Sequence, residues 1–159
     1  SLKSARYSVQ QPLLIGAALA GADETQLRAL SDFGHPLGMA FQLRDDVLGV
    51  FGDTAVTGKP SGDDLREGKR TVLIAYAREG MPPGTRRTVD ELIGDPDLDG
   101  TQIAALQRTI RDTGALERVE ALIAEYARSA DRALAGAPLG NAAVGELRDL
   151  ADAATSRSA

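Results

Sequence analysis

Apolar side chains recur at helical spacing along most of this chain, and glycine or proline separates one repeat from the next. The clearest apolar stripe, in the segment 116–134, combines Leu116, Val119, Ile123, Tyr126 and Ala130. No segment alternates with the period of two that marks a half-buried strand. The pattern therefore predicts an all-α protein, with helices over residues 2–20, 24–51, 65–78, 86–93, 101–113, 116–134 and 142–154.

Composition limits the classes of protein to which this chain can belong. Its 159 residues are 43% hydrophobic, which is enough for one domain with a sizeable core. The net charge of −5 argues against a nucleic-acid partner. The chain has no cysteine for disulfides or thiolate metal sites, and no apolar run reaches the roughly 18 residues of a membrane span. We expect a cytoplasmic protein without a membrane span.

The predicted helix over 24–51 has one narrow polar face near its end, whereas it is apolar on most other sides there. With about 100° between successive residues, Gln42, Asp45, Asp46, Gly49 and Asp53 lie within about 60° of one line. Buried carboxylates need a partner, and adjacent carboxylates repel each other unless a cation intervenes. This face therefore predicts a hard divalent cation, Mg²⁺, shared with a substrate phosphate. The alternative is a solvated face that carries helix caps and salt bridges.

Glycine and lysine follow this face along the chain. The connection 52–62 contains Gly-Lys-Pro, and Asp63 or Asp64 is predicted to cap the helix over 65–78. A glycine-rich approach to a helix N-terminus suits an anion, and Lys59 and Lys69 would add point charges for phosphate.

A second aspartate cluster, Asp95-Pro-Asp-Leu-Asp-Gly100, matches the first half of a calcium-binding EF-hand loop. The twelfth position of such a loop requires a bidentate glutamate, and here it is Leu106. We therefore interpret this segment as a polar turn between helices.

The stretch Phe41–Thr71, with the letters FQLRDD…GD…GKPSGDDLREGKRT, resembles the second aspartate-rich region of the trans-isoprenyl diphosphate synthases, the polyprenyl synthetase family. Lys3-Ser4 resembles the Lys-Thr/Ser pair on the preceding helix of that family. The sequence of the stretch Phe41–Thr71 is most similar to bacterial geranylgeranyl-type synthases. The resemblance implies a helical bundle of the isoprenoid synthase type, usually a homodimer, of which this chain is the C-terminal part. Residues 1–154 would belong to a single prenyltransferase domain, and residues 155–159 would form a frayed tail.

The resemblance also implies a reaction, the Mg²⁺-dependent condensation of an allylic diphosphate with isopentenyl diphosphate. It assigns three aspartates to the metal. Asp45 would be the main Mg²⁺ ligand of this region, Asp46 would support it, and Asp64 would hold metal-bound water.

The remaining implied site residues contact the substrates. Lys3, Lys59 and Lys69 would contact the allylic diphosphate. Gln42 would line the cavity near the reacting chain, and Ser4 would place its hydroxyl beside the forming cation.

The sequence departs from the family pattern in two respects. Gly49 stands where the usual DDxxD pattern has its third aspartate. The family's first aspartate-rich motif, which lies upstream, is not among these 159 residues, so the chain is predicted to hold half an active site and to be inactive alone.

Two other functions fit the same residues. The chain could be a non-catalytic interaction subunit that binds a prenyl diphosphate synthase. It could also be an α-helical terpene cyclase, although the Gly-Lys…Gly-Lys-Arg-Thr continuation at 58–71 argues against that class.

Overall fold

The computed structural model describes residues 6–58 and 60–156, and within these ranges the regular elements are helices and no residue lies in a strand. The prediction of an all-α fold is confirmed. A π-helical turn at Arg6–Gln10 precedes the α-helices, which are α1 Gln11–Leu19, α2 Glu24–Phe51, α3 Thr54–Thr57, α4 Asp63–Arg66, α5 Val72–Gly80, α6 Pro83–Leu92, α7 Gly100–Asp112, α8 Ala115–Leu134 and α9 Asn141–Thr155. In the described ranges, no helix has both the length and the apolar character that crossing a bilayer requires.

Contacts divide the chain into two compact units. Of the described residues, the first unit contains 6–44 and 122–156, and the second contains 45–58 and 60–121. Both long helices, α2 and α8, run from one unit into the other, and the boundary in α2 lies between Arg44 and Asp45.

The core of the first unit joins the early part of α2 to the end of α8. Phe33 and Leu37 from α2 are completely buried against Ala130 and Leu134 from α8. Apolar side chains from α1, from α9 and from the segments beside them cover this cluster, and they include Val9, Leu13, Leu139, Val144, Leu147 and Ala151. Helix α2 begins with the predicted capping box, because Asp23 and Gln26 each accept a hydrogen bond from the other's backbone N–H.

The end of α9 is held by a buried arginine of α2. Arg44 is 9% exposed, and its Nε donates to the backbone oxygen of Thr155 at 2.9 Å. The last carbonyls of a helix lack partners within the helix, so a cation is well suited to this position. Thr155, which the sequence suggested as the start of a frayed tail, is therefore the last residue of α9, and residues 157–159 lie outside the described ranges.

In the second unit, α5 packs against α7, and the side chains of Leu65, Leu73 and Ile110 are completely buried. Gln107 of α7 ties two other segments together. Its Nε2 donates to the backbone oxygen of Val50, in the last turn of α2, at 2.7 Å, and to Ser61 Oγ at 3.1 Å. This amide gives a partner to a carbonyl near the C-terminus of α2, where the helix itself cannot provide one.

The prediction of one helix over 65–78 is wrong, because the chain forms α4 and α5 with a loop between them. Gly68 causes the break, since it adopts φ +66°, a left-handed conformation that interrupts a right-handed helix. Thr71 then caps α5, and its Oγ1 accepts a hydrogen bond from Ile74 N at 3.2 Å. The predicted aspartate cap is also absent, because Gly62 precedes α4 and Asp63 and Asp64 form its first turn.

We expect Gly68→Ala to destabilise the protein by about 1–2 kcal/mol from backbone strain, and further because a Cβ would lie 3.0 Å from Gly94 Cα. Gly114→Ala is the matched control, since Gly114 has φ +74° but nothing within 4 Å of the added carbon. Urea unfolding of both variants separates the two contributions. Equal losses of unfolding free energy in the two variants would show that the contact with Gly94 does not constrain Gly68.

Two aspartate predictions of the sequence have clear outcomes. Asp53 does not extend the polar face of α2, because the helix ends at Phe51 and the Asp53 side chain instead caps α3, accepting a hydrogen bond from Ala55 N at 2.9 Å. The segment 95–100 is the predicted turn. Asp99 caps α7 through a capping box with Gln102, so its carboxylate accepts hydrogen bonds from the first backbone N–H groups of that helix.

Candidate active site

The polar face of α2 lies mainly in the second unit. Asp46 is buried at 8% exposure, Asp45 is half-buried, and Gly49 follows one helical turn later. Residues three and four apart on a helix lie on the same side, so Asp45, Asp46 and Gly49 share one face of α2. Gln42 lies half-buried one turn earlier on α2, within the first unit. The continuous helix therefore confirms that Gln42 and these aspartates share one element.

Helix α4 brings a third carboxylate to this face. Asp64 is 8% exposed, and its carboxylate lies directly against the backbone of Gly49. A Cβ added to Gly49 would be 2.8 Å from Asp64 Oδ1 and closer still to Cγ and Oδ2. Asp64 is thus placed one helical turn from Asp45 and Asp46, although it is fifteen or more positions away in sequence.

Lys69 holds the other side of the Asp64 carboxylate. Its Nζ lies 2.5 Å from Asp64 Oδ1 and 3.3 Å from Glu67 Oε2. The hydrogen bond that Lys69 donates to Asp64 is the main reason that the pKa of Lys69 is raised above its usual value, so the ammonium is charged at neutral pH. An ammonium has three donors, and two carboxylates leave one N–H for a further acceptor such as a phosphate oxygen.

The loop that carries Lys69 is fixed by its neighbours in the second unit. Arg66 Nε donates to Leu98 O at 3.0 Å, and Gly94 N donates to Leu65 O at 2.8 Å. Gly68 lies against Gly94, and a Cβ added to Gly68 would be 3.0 Å from Gly94 Cα. These contacts fix the end of α4, and therefore the positions of Asp64 and Lys69.

The structure places five of the predicted site residues. Asp45, Asp46, Asp64 and Lys69 belong to the second unit, and Gln42 belongs to the first. The other predicted residues, Lys3, Ser4 and Lys59, lie outside the described ranges. Their roles remain predictions.

The carboxylates do not converge on a ready-made metal cage. Within residues 6–58 and 60–156, no group of three or more histidine, aspartate or glutamate side chains is arranged to hold a metal ion. Mg²⁺ usually binds proteins through one or two carboxylates, with water and substrate phosphates completing its shell. Carboxylate oxygens on one face, with a lysine beside them, suit that mode of binding. The Asp64 carboxylate lies on this face because it occupies the space that a Cβ at position 49 would fill.

Sequence reasoning missed two residues of this arrangement. Glu67 shares Lys69 with Asp64, and Gly49 provides the surface on which Asp64 lies. The signal for Gly49 was present, because a glycine in a buried helix costs stability and requires a reason. The Glu67 contact had no comparable signal, since it depends on the loop at Gly68.

Comparison with known proteins identifies the family. The family model for polyprenyl synthetases matches residues 1–110 of this chain. The chain belongs to the polyprenyl synthetase family. The matched residues include all of the aspartate-rich stretch and the lysines that follow it, so the resemblance noted in the sequence is confirmed.

Relatives of this polyprenyl synthetase chain are prenyl diphosphate synthases. It is 39% identical over 136 residues to geranylfarnesyl diphosphate synthase from Aeropyrum pernix, covering 86% of this chain and 42% of that protein. It is also 39% identical over 137 residues to heptaprenyl diphosphate synthase component 2 from Geobacillus stearothermophilus, covering 86% and 41%.

The fold of this polyprenyl synthetase chain is also that of a solved synthase. A crystal structure of geranylgeranyl pyrophosphate synthase from Corynebacterium glutamicum, in complex with isoprenyl diphosphate and magnesium, matches with a TM-score of 0.94 and 42% identity. The match covers 98% of this chain and 44% of that one. The chain therefore spans less than half the length of these relatives, and its fold is the isoprenoid synthase type predicted.

Proposed function

We propose that this chain is the C-terminal part of a Mg²⁺-dependent prenyl diphosphate synthase that joins an allylic diphosphate to isopentenyl diphosphate. The observation that carries the proposal is the carboxylate face of α2, completed by Asp64 and bordered by Lys69. The names of the relatives support the reaction class, and the magnesium and isoprenyl diphosphate in the matching structure support the ligands.

The residues of this chain would act mainly by holding charge in place. Mg²⁺ would supply positive charge to the diphosphate as it leaves. Asp45 would be the main metal ligand, Asp46 would support it, and Asp64 would orient metal-bound water. Preorganised charges of this kind stabilise the negative charge that develops on the leaving group.

The remaining site residues would bind the substrates. Lys69, together with Lys3 and Lys59, would contact the diphosphate oxygens. Gln42 would line the cavity near the reacting chain, and Ser4 would place its hydroxyl beside the forming cation. The apolar circumference of α2 would exclude water from the reacting carbons.

A homodimer in the cytoplasm is part of the same proposal. The family resemblance supports both features, and the surface of α1 supports self-association, because Ile15 and Leu19 expose 59% and 85% of their area. Large apolar side chains close together on a surface are typical of an interaction site.

One observation favours a second function. The relative from Geobacillus stearothermophilus is named as component 2 of its synthase, which is compatible with a chain that acts as an interaction subunit. In that case the present chain would need a separate partner to transfer prenyl groups.

An activity assay tests both proposals and includes a prediction about the chain itself. The 159-residue chain, incubated with an allylic diphosphate, radiolabelled isopentenyl diphosphate and Mg²⁺, is expected to form no labelled product, because the family's first aspartate-rich motif is not part of it. The protein made from the complete reading frame is expected to form product. Product from the 159 residues alone would contradict the half-site prediction, and a complete protein that is active only with a second protein would favour the subunit.

A further inference from the structure

Gly49 makes an unusually close contact with one side chain. The carboxylate of Asp64 occupies the space in which any side chain at position 49 would begin, since an added Cβ would be 2.8 Å from Oδ1 and nearer to Oδ2. Ordinary van der Waals contacts of such a carbon begin at 3.4 Å. A substitution at Gly49 must therefore move Asp64.

The backbone gives no other reason for glycine at this position. Gly49 lies in the interior of α2 and is not one of the glycines with positive φ. Glycine in a helix interior costs roughly 1 kcal/mol relative to alanine. Gly16 in α1 and Gly145 in α9 differ from Gly49, because nothing lies within 4 Å of a Cβ added to either residue.

Asp64 is held from two sides. Lys69 engages Oδ1 at 2.5 Å, and the backbone of α2 at Gly49 supports the carboxylate from the other side. Because Gly49 lies three and four positions after Asp46 and Asp45, this clamp puts the third carboxylate on the next turn of the same helical face. In the family pattern, an aspartate on the helix itself stands at this turn.

We propose that Gly49 is a positioning residue: because it has no side chain, the carboxylate of Asp64 lies against α2 and supplies the third carboxylate of the aspartate-rich face. The assignment of a Mg²⁺–diphosphate complex as the ligand of that face rests on the proposed function, whereas the contact between Gly49 and Asp64 does not.

The test compares Gly49→Ala, Asp64→Ala and the double variant with the unchanged chain. Titration calorimetry measures binding of inorganic diphosphate in the presence of Mg²⁺. Gly49→Ala and Asp64→Ala are each expected to weaken binding by about 10–100-fold, as is usual when a residue that orients a metal ligand is lost. The double variant is expected to bind no more weakly than Asp64→Ala, because Gly49 acts through Asp64. Unchanged binding by Gly49→Ala, or losses that multiply in the double variant, would overturn the proposal.

Urea unfolding of the same variants provides a measurement that needs no ligand. When Asp64 is already alanine, Gly49→Ala is expected to raise the urea midpoint, because alanine favours the helix. In the unchanged chain the same substitution displaces Asp64 from Lys69, so the rise is expected to be smaller or reversed. Equal shifts in the two backgrounds would show that Gly49 does not position Asp64.

Gly145→Ala is the matched control. This glycine lies in the interior of α9, and alanine meets no neighbour there. The variant is expected to raise the urea midpoint and to leave diphosphate binding unchanged. The unchanged chain could bind no Mg²⁺–diphosphate while Gly49→Ala still shifts the urea midpoint differently in the unchanged chain and in Asp64→Ala. In that case the proposed function fails and the Gly49–Asp64 contact is upheld.

Discussion

Replacing Asp45 with alanine is expected to lower the turnover of the complete synthase by on the order of 100-fold or more, because transition-state charge stabilisation is lost. Asp45 lies half-buried on α2, on the face that Asp64 extends by one turn. Its loss would leave the departing diphosphate with weaker metal binding at the moment when its negative charge increases. The Mg²⁺ concentration that gives half-maximal rate should rise as well.

The measurement is the rate of radiolabelled isopentenyl transfer at saturating allylic diphosphate, followed across a Mg²⁺ titration. Asp112→Ala is the control, because Asp112 is an exposed aspartate at the end of α7 and is not part of the face. Its rate should match that of the unchanged enzyme. A nearly unchanged rate for Asp45→Ala would remove Asp45 from the metal site.

Replacing Phe33 with alanine is expected to destabilise the first unit by about 3–5 kcal/mol, the usual cost of removing a buried aromatic ring. Phe33 is completely buried with Leu37, Ala130 and Leu134, so its removal leaves a cavity between α2 and α8. Most domains are stable by only about 5–15 kcal/mol, and the loss would take a large part of that margin.

Chemical denaturation measures this effect as a lower midpoint with an unchanged slope. Tyr7→Ala removes an aromatic ring that is 71% exposed, and should alter stability by less than about 0.5 kcal/mol. A loss below about 1 kcal/mol for Phe33→Ala would mean that the surrounding side chains collapse into the space.

The long helices were predictable from sequence because their apolar pattern is strong. Helix α2 has the predicted bounds, 24 to 51, and it continues through Pro36 although proline removes one helical hydrogen bond. Tertiary packing explains this continuity, since Phe33 and Leu37 on either side of the proline are completely buried. Local propensity alone would have favoured a break.

The loop after α4 was not predictable from periodicity. The apolar residues around it fit one helix, but Gly68 has φ +66° and lies against Gly94, which is distant in sequence. A single sequence carries no signal for such a contact. The same limit applies to Lys69, whose assignment to a helix was wrong and whose position beside Asp64 follows from the loop.

The chemistry of the candidate site was more predictable than its assembly. Residue types and spacing pointed to Asp45, Asp46 and Lys69, the family resemblance pointed to Asp64, and the structure brings Asp64 and Lys69 together. In the sequence, Gly49 is only an aspartate missing from the DDxxD pattern, because a sequence cannot show what fills the space beside a glycine. Only the fold reveals that a carboxylate from α4 lies there.

The amide of Gln107 has a consequence for how the second unit opens. It holds the last turn of α2 and the segment just before α4 through a single side chain, by way of Val50 O and Ser61 Oγ. Proteins open locally in cooperative units. Because one side chain joins the end of α2 to the start of the Asp64 segment, we expect these two segments to open together when α7 moves away, which hydrogen exchange of their backbone amides would measure.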